Sequence, residues 1–569
     1  MSMTISRVNT ARATLLLALA GLVVACAATP PILSTEPNQA MPAGAHAAVQ
    51  VQASPFQPAA VCNGTFVAHD LAHVARAALP VPRLFDSNGS GLAVNDLDGD
   101  GDEDIVLGDL AGPLAILWNE GGLNFTRQEL SLFRRARGVA TVDVDGDGAL
   151  DIAATNGIAA PAIFRNQGDR RFALYPLPGV NQPAYAMNWA DLDRDGDLDL
   201  VTGSYDAGRQ MESGSNYLFA AGAGVNVYLH ADDGWQRQQL AESAQALAIS
   251  LWDLNDDGRP DIWVGNDFDE LDQVWLQRAD GGWEPAAPFE DTSHSTMGID
   301  RGDLNGDGLA EYFATDMKPY TVGPQTLAAW VPLMDAATKT RQRDDPQIYE
   351  NVLQVRRGDR FVNEGYDRKI DATGWSWSGK FGDLDSDGAL DLYVVNGMIA
   401  GDLLHYLPAG ELVEENQALR NLGDGQFLPA DGWGLASQRS GRSMSMADFD
   451  DDGDLDIVVN NLNSPAQLFE NCLCAVGTDL QVSLRWPGSA NPFAVGATVL
   501  LHTDRGTLAR DVRAVSGYLS GDSARLHFGI PAGATLAQLA IRWPDGAIST
   551  VDLPGDSLAA GRHLTVTRP

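Results

Sequence analysis

Cysteine is scarce in this chain, with four in 569 residues, and none falls at zinc-site spacing. The nine histidines include no H-E-x-x-H pair, and no G-x-S-x-G elbow occurs. The common signatures of zinc peptidases and serine hydrolases are therefore missing. Positive charge is also short: 38 Lys and Arg stand against 76 Asp and Glu, a net charge of −38. Such a surface repels nucleic acid and anionic lipid, which excludes both as partners for it. Long apolar runs are missing too. The run from Ala13 to Ala28 is short of the roughly 20 residues that span a bilayer, so it reads as an export signal.

Aspartate is what the chain has in excess. The stretch NDLDGDGDEDIVLGD, from Asn95, packs seven acidic side chains into fifteen residues. Crowded carboxylates repel one another, so such a stretch is either solvated and unfolded or built around a cation. Its spacing favours the cation. Asp96, Asp98, Asp100 and Asp104 stand at positions 1, 3, 5 and 9 of a loop with Gly101 at position 6. Alternate oxygens of a curled loop converge on a hard ion such as Ca²⁺, position 7 adds its backbone carbonyl, and the glycine permits the sharp turn. The loop begins like an EF-hand, but Leu107 stands where the position-12 glutamate belongs, and DIVLGD continues as a strand.

The loop returns six times. The second copy has Asp143, Asp145, Asp147 and Asp151; the third has Asp191, Asp193, Asp195 and Asp199. The fourth and fifth use Asp253, Asn255, Asp257 and Asp261, then Asp303, Asn305, Asp307 and Glu311. The last two bring Asp383, Asp385, Asp387 and Asp391, then Asp448, Asp450, Asp452 and Asp456. Every replacement at a ligand position keeps a side-chain oxygen. Asn255 and Asn305 each remove a charge, so loops four and five are expected to bind more weakly.

Loop starts are separated by 47, 48, 62, 50, 80 and 65 residues, a base unit long enough for a four-stranded blade. A second signature follows several loops, as LWNEGGLNF, FRNQGDRRF, LQVRRGDRF and LRNLGDGQF: a strand, a Gly turn and an aromatic that restarts a strand. Seven such units predict an all-β, seven-bladed β-propeller over residues 61–475. The loops resemble the FG-GAP/VCBS calcium repeats of integrin α-chain propellers. That resemblance implies up to seven structural Ca²⁺ ions, held by the loop residues named above.

From Thr478 the acidic loops stop, and residues 478–569 read as a β-rich module. Its segments Gly496 to Val499, Gly517 to Ser520, Leu526 to Gly529 and Trp543 to Gly546 resemble the ASPIC/UnbV domain, although Gly521 stands where that domain usually has Gln. Repeats followed by this domain resemble the CRTAC family, whose vertebrate members are secreted cartilage acidic proteins.

Arg7 and Arg12 precede the apolar run, and Val23 to Cys26 resembles a bacterial lipobox. The expectation is a signal peptide over residues 1–25, lipidation of Cys26 with an ordinary secretory signal as the alternative, and a flexible tether over residues 26–60. Ala27 and Ala28 carry no retention acid, which by analogy places the chain in the cell envelope at the outer membrane or surface. Cys62 lies before the first blade, and Cys472 and Cys474 lie after the last. In a ring these places meet, so a disulfide from Cys62 to Cys472 or Cys474 is expected, against the alternative of unpaired thiols.

Other motifs weigh less. GWSWSGKF, Gly374 to Phe381, lacks the Ser or Thr and the helix of a phosphate loop. Its Trp375 and Trp377 are expected in the core, with a ligand platform as the alternative. Two R-G-D triplets, at Arg301 and Arg357, fall in repeat structure. The long interval between loops five and six is expected to carry a helical cap near Leu327 to Thr340. The expected role is binding or adhesion at the cell surface to a protein or a polysaccharide, with no catalytic residue assigned and the membrane reached only through the N-terminal lipid. The alternative is a carbohydrate lyase or hydrolase using a propeller face.

Overall fold

The computed structural model describes residues 45–58, 61–212, 222–231, 234–337, 345–553 and 561–569. The expected signal peptide, Cys26 and the first part of the tether lie outside the described residues. Strands dominate the regular structure. Among the described residues no helix is long and apolar enough to cross a membrane.

Seven antiparallel sheets repeat one plan. Sheet one runs through Leu92–Asn95, Asp104–Leu107, Pro113–Asn119 and Phe125–Arg134. The first strands of the next six are Val139–Val142, Ala186–Ala190, Ala246–Trp252, Ile299–Gly302, Gly374–Gly382 and Gly441–Ala447. Each acidic loop joins the first strand of its sheet to the second, and position 9 opens the second strand. Second strands such as DIVL and DLYVVN are buried throughout, because each sheet is covered on both faces by its neighbours. First strands of successive sheets pack side by side from sheet three to sheet seven, and that of sheet one packs on those of sheets two and seven. Sheets two and three are joined where the Thr155 hydroxyl donates to the Tyr185 carbonyl at 2.5 Å.

Sheet seven takes its outer strand from the other end of the chain. Thr65–Val74 pairs with Pro465–Cys472, and a disulfide joins Cys62 to Cys474 beside that seam. Of the two expected pairings, Cys474 is the one made. Cys472 stays a buried thiol, pushed up to about 11 chiefly by desolvation.

The C-terminal module is two four-stranded sheets around one core that includes Leu480, Val499, Phe528, Ile541 and Val566. One of its strands comes from the N-terminal side. Gln50–Pro55 pairs antiparallel with Arg562–Thr567, from Gln50 opposite Thr567 to Pro55 opposite Arg562. The expected tether over 26–60 is therefore shorter: without this strand Arg562–Thr567 would leave an open edge, and Ala47 and Val49 pack on the module's core.

The module also enters the ring. Val515–Ser516 and Ser520–Gly521 form a short hairpin whose second strand pairs in parallel with Leu92 and Ala93. Between them Gly517 exchanges hydrogen bonds with Ile299, at 2.7 and 3.3 Å. The Met444 amide donates to Ser520 Oγ at 3.2 Å, and Ser378 Oγ accepts the Tyr518 amide at 3.1 Å. Tyr518 is wholly buried and donates through its hydroxyl to the Asn88 carbonyl at 2.8 Å. The segment thus touches first strands from several sheets at once and fills the space between them.

The expected helical cap is the helix Pro324–Ala337, which buries Trp330 at 6.1 Å from the Trp375 ring. Trp375 and Trp377 are both core residues, and the Arg442 guanidinium lies 4.4 Å from the Trp377 ring centre.

Candidate metal centres

The loops share one local construction. Position-6 glycines have φ between 83° and 109°, as at Gly258 and Gly453, a conformation that L side chains rarely adopt. In six loops that glycine's N–H donates to the position-1 carboxylate, at 2.6 Å from Gly258 to Asp253 and 3.1 Å from Gly101 to Asp96. Position 9 is clamped twice when it is Asp. One oxygen of Asp104 accepts the Leu97 N–H at 3.0 Å, and the other accepts the Asn119 N–H from the third strand at 2.8 Å. Asp456 does the same with Phe449 and Asn471, at 3.0 and 2.7 Å.

Carboxylate oxygens at positions 1, 3 and 9 converge in five loops, all within 4.8 Å of one another. These are Asp96, Asp98 and Asp104; Asp143, Asp145 and Asp151; Asp191, Asp193 and Asp199; Asp383, Asp385 and Asp391; and Asp448, Asp450 and Asp456. The donor set fits a hard divalent cation, being all oxygen and anionic. One oxygen each of Asp145, Asp191 and Asp385 is buried with no hydrogen-bond partner, which a bound ion would satisfy. These clusters could hold a metal ion.

Two parts of the expected ligand set stand outside these five clusters. At position 5, Asp100, Asp147, Asp195, Asp387 and Asp452 accept the N–H two residues on, at 3.0 to 3.3 Å. Such short side chains readily make this local turn. Loops four and five gather fewer charges. Asn255 accepts the Asp257 N–H at 3.0 Å, and Asn305 donates to Glu311 at 2.9 Å, so the longer Glu311 side chain is held by an amide. Asp253, Asp257, Asp261, Asp303 and Asp307 keep the loop's shape around them.

Burial sets the electrostatics. Desolvation pushes the Asp104, Asp199, Asp261 and Glu311 carboxyls up to about 8, outweighing the N–H bonds that favour the anion. Asp391 and Asp456 are raised well above the carboxylate range for the same reason. Arginines approach the outer oxygens, with Arg165 at 2.5 Å from Asp145 and Arg420 at 2.6 Å from Asp385.

One structural function lay unread in the second signature. Its asparagine reaches across to the neighbouring sheet's loop. Asn119 donates to the Phe449 carbonyl, Asn166 to Leu97 and Asn421 to Leu304, at 2.7, 2.7 and 2.8 Å. Gln277 and Asn471 make the same link to Leu192 and Leu384, at 2.6 and 2.9 Å. Each acceptor is position 2 of a metal loop. The recurring N-x-G at Asn119, Asn166 and Asn421 was the signal, and its Asn reads as a turn former until the sheets are placed.

The C-terminal module rests on the same loops. Gln481 donates to Asp448, position 1 of loop seven, at 2.6 Å. Arg525 pairs with Glu103 and Asp451 at 3.3 and 3.0 Å, and Ser489 donates to the Gly196 carbonyl at 3.0 Å. Lys380, buried under the module, pairs with Asp522 at 2.5 Å. No sequence pattern announced these contacts, because each is a single residue on a different stretch of the chain.

Comparison with known proteins agrees with this division. The FG-GAP-like repeat family matches residues 96–154, 143–202, 253–314 and 409–459, and the ASPIC and UnbV family matches residues 487–569. Among curated proteins none matches the chain. Of solved structures, the chain is similar to BBS1N in complex with ARL6DN at 10% identity and TM-score 0.38, over 72% of this chain and 98% of that one. It is similar to the exotype rhamnogalacturonan lyase YesX at 12% identity and TM-score 0.34, over 75% and 76%. Neither likeness is close enough to bear on function. Repeats and a domain of these kinds suggest a propeller-type extracellular protein. The chain carries FG-GAP-like repeats followed by an ASPIC and UnbV domain, the module order of CRTAC-like proteins.

Proposed function

We infer that the chain is an exported, calcium-loaded, seven-bladed propeller that recognises a protein or polysaccharide at the bacterial cell surface, anchored through lipid on Cys26. The observation that carries this reading is the fivefold convergence of three carboxylates, with a buried oxygen left unpaired in three of the five clusters. Calcium supplies positive charge there and no chemistry. The protein's part is to aim positions 1, 3 and 9 at one point, through the position-6 turn and the backbone N–H clamps. Extracellular calcium modules often have dissociation constants of about 10⁻⁴ to 10⁻³ M. At ten times such a constant each filled site stabilises the fold by roughly 1.4 kcal/mol. Seven sites would together rival the stability of a whole domain.

The test is calorimetric calcium titration of the unlipidated chain, with thermal melts alongside. Near seven equivalents and a large rise in melting temperature are expected, the last filled sites being loops four and five. Little binding and no stabilisation would make the loops acidic turns and end the metal reading. Lipidation is read from the mass of the N-terminal peptide of membrane-extracted protein, where an unmodified Cys26 refutes the anchor.

A further inference from the structure

Between the loop-bearing side of the sheets and the C-terminal module lies a cavity of about 530 Å³, within the range of roughly 300 to 1,000 Å³ common for small-ligand sites. Its wall is unusual for this chain. Nine of the 38 Lys and Arg residues line it, against eight of the 76 acids. Five of those eight, Asp191, Asp253, Asp257, Asp303 and Asp383, are metal-loop positions. A cation in loops three and six, both of which gather three carboxylates, leaves the wall with excess positive charge.

The arginines also differ in their partners. Some are neutralised, as Arg301 is by Asp511 and Arg356 by Asp256. Arg194, Arg510 and Arg542 pair with no carboxylate among the described residues. Arg194 donates to the Gly258 carbonyl, and Arg510 to the carbonyls of Ala509 and His527, both at 2.9 Å. Arg542 donates to the Thr498 hydroxyl, at 3.3 Å. One Arg510 nitrogen, Nη2, is buried without any hydrogen-bond partner. The acids that act on Arg510 most strongly are Asp383 and Asp303, and a metal in those loops cancels that compensation. Trp252 adds an aromatic wall, with the Arg301 guanidinium 3.5 Å from its ring centre. Arg194 and Asp257 are exposed, so the cavity opens to solvent at loops three and four.

We propose that this cavity binds a short acidic saccharide, whose carboxylates are taken by Arg194, Arg510 and Arg542. The inference rests on the reading of a calcium-loaded recognition protein and names its ligand class. The cavity is too small for a folded partner, and the acidic exterior repels a long polyanion while a charged chain end can enter. Planar guanidinium groups suit planar carboxylates.

The experiment titrates the full chain with a galacturonate trimer, using maltotriose and inorganic phosphate as controls, in calcium and in EGTA. The trimer is expected to bind in calcium and to weaken in EGTA, with neither control binding comparably. Arg510→Gln and Arg542→Gln should each weaken the trimer about tenfold or more, the loss of a charge-assisted contact. Arg194→Gln, at an exposed position that does not endanger folding, should act in the same direction. A calcium titration that still saturates and a cooperative melt show that each variant is folded. Equal binding of maltotriose, phosphate as tight as the trimer, or three variants that bind like the parent would each overturn the proposal. Calcium uptake without trimer binding overturns the cavity assignment alone. Trimer binding without calcium uptake upholds the cavity and overturns the metal reading.

Discussion

A carboxylate buried with both oxygens tied to backbone N–H groups keeps one lone pair on each oxygen, and at position 9 those are what remains for a metal. Without the metal such a group is a liability that protonation relieves. Asp104, Asp199 and Asp261 are raised to about 8 from an ordinary 3.8. Between those values the folded chain binds more protons than the unfolded one, so stability from these groups is full below about pH 4 and is lost as pH rises through about 8. In EGTA the urea midpoint should therefore fall between about pH 5 and 8.5; in saturating calcium, which competes with the protons, it should not. A midpoint that rises with pH in EGTA would contradict the assignment. The cross-sheet asparagines make a second prediction. Asn166→Ala removes the bonds to the Leu97 and Leu150 carbonyls and leaves both buried, which should cost about 1 to 3 kcal/mol by chemical denaturation in calcium. A change within about 0.5 kcal/mol would mean the link carries no weight.

At the scale of elements, the inserted hairpin has the least tolerance. Gly517 has φ of 62°, and a Cβ there would lie 2.5 Å from Ser378 Oγ and 2.9 Å from Lys380 Cε. Gly517→Ala should lower the melting temperature and make Val515–Gly521 more accessible to hydrogen exchange than in the parent chain. Equal exchange would show that the ring accommodates the methyl group. The cap helix is different in kind, because its one fully buried side chain among the described residues is Trp330, with Ala329 and Leu333 packed beside it: Trp330→Ala should cost about 3 to 5 kcal/mol if its burial is productive. These two elements also mark what the sequence could and could not reveal. Acidic loops, hairpin turns and the cap were legible because each is written in contiguous residues with a period. The insertion at Gly517 to Ser520 was visible as a motif but not as a placement, since its partners are spread from Asn88 to Ser520's neighbour Met444 and share no local pattern. Strand Gln50–Pro55 escaped for a related reason: it is exposed along its length, so it lacks the alternation that marks a half-buried strand. Position 5 is the least legible ligand position, because the same Asp suits both a metal ligand and a local turn, and spacing does not separate the two.

At the scale of the whole molecule, the two ends are fastened at three places: the outer strand of sheet seven, the Cys62–Cys474 disulfide and the pairing of Gln50–Pro55 with Arg562–Thr567. The disulfide spans 412 residues, and a cross-link over so long a loop restrains the unfolded chain strongly. Its reduction in calcium should lower stability by roughly 2 to 5 kcal/mol, measured by melts with and without reductant at fixed calcium. No shift on reduction would show that the strand pairing alone holds the ends.

The hairpin that fills the ring has one more consequence, which concerns time. Asn88 and the tyrosine that bonds to it are 430 residues apart, and synthesis at about 5 to 20 residues per second separates their appearance by roughly 20 to 90 s. The ring itself closes only once Pro465–Cys472 is made, and from then until Tyr518 emerges it surrounds a hole with no occupant, while the earliest strands wait for a partner made last. Assembly of this protein is therefore a closing event governed by the arrival of its final hundred residues, and anything that stalls translation there leaves an open ring.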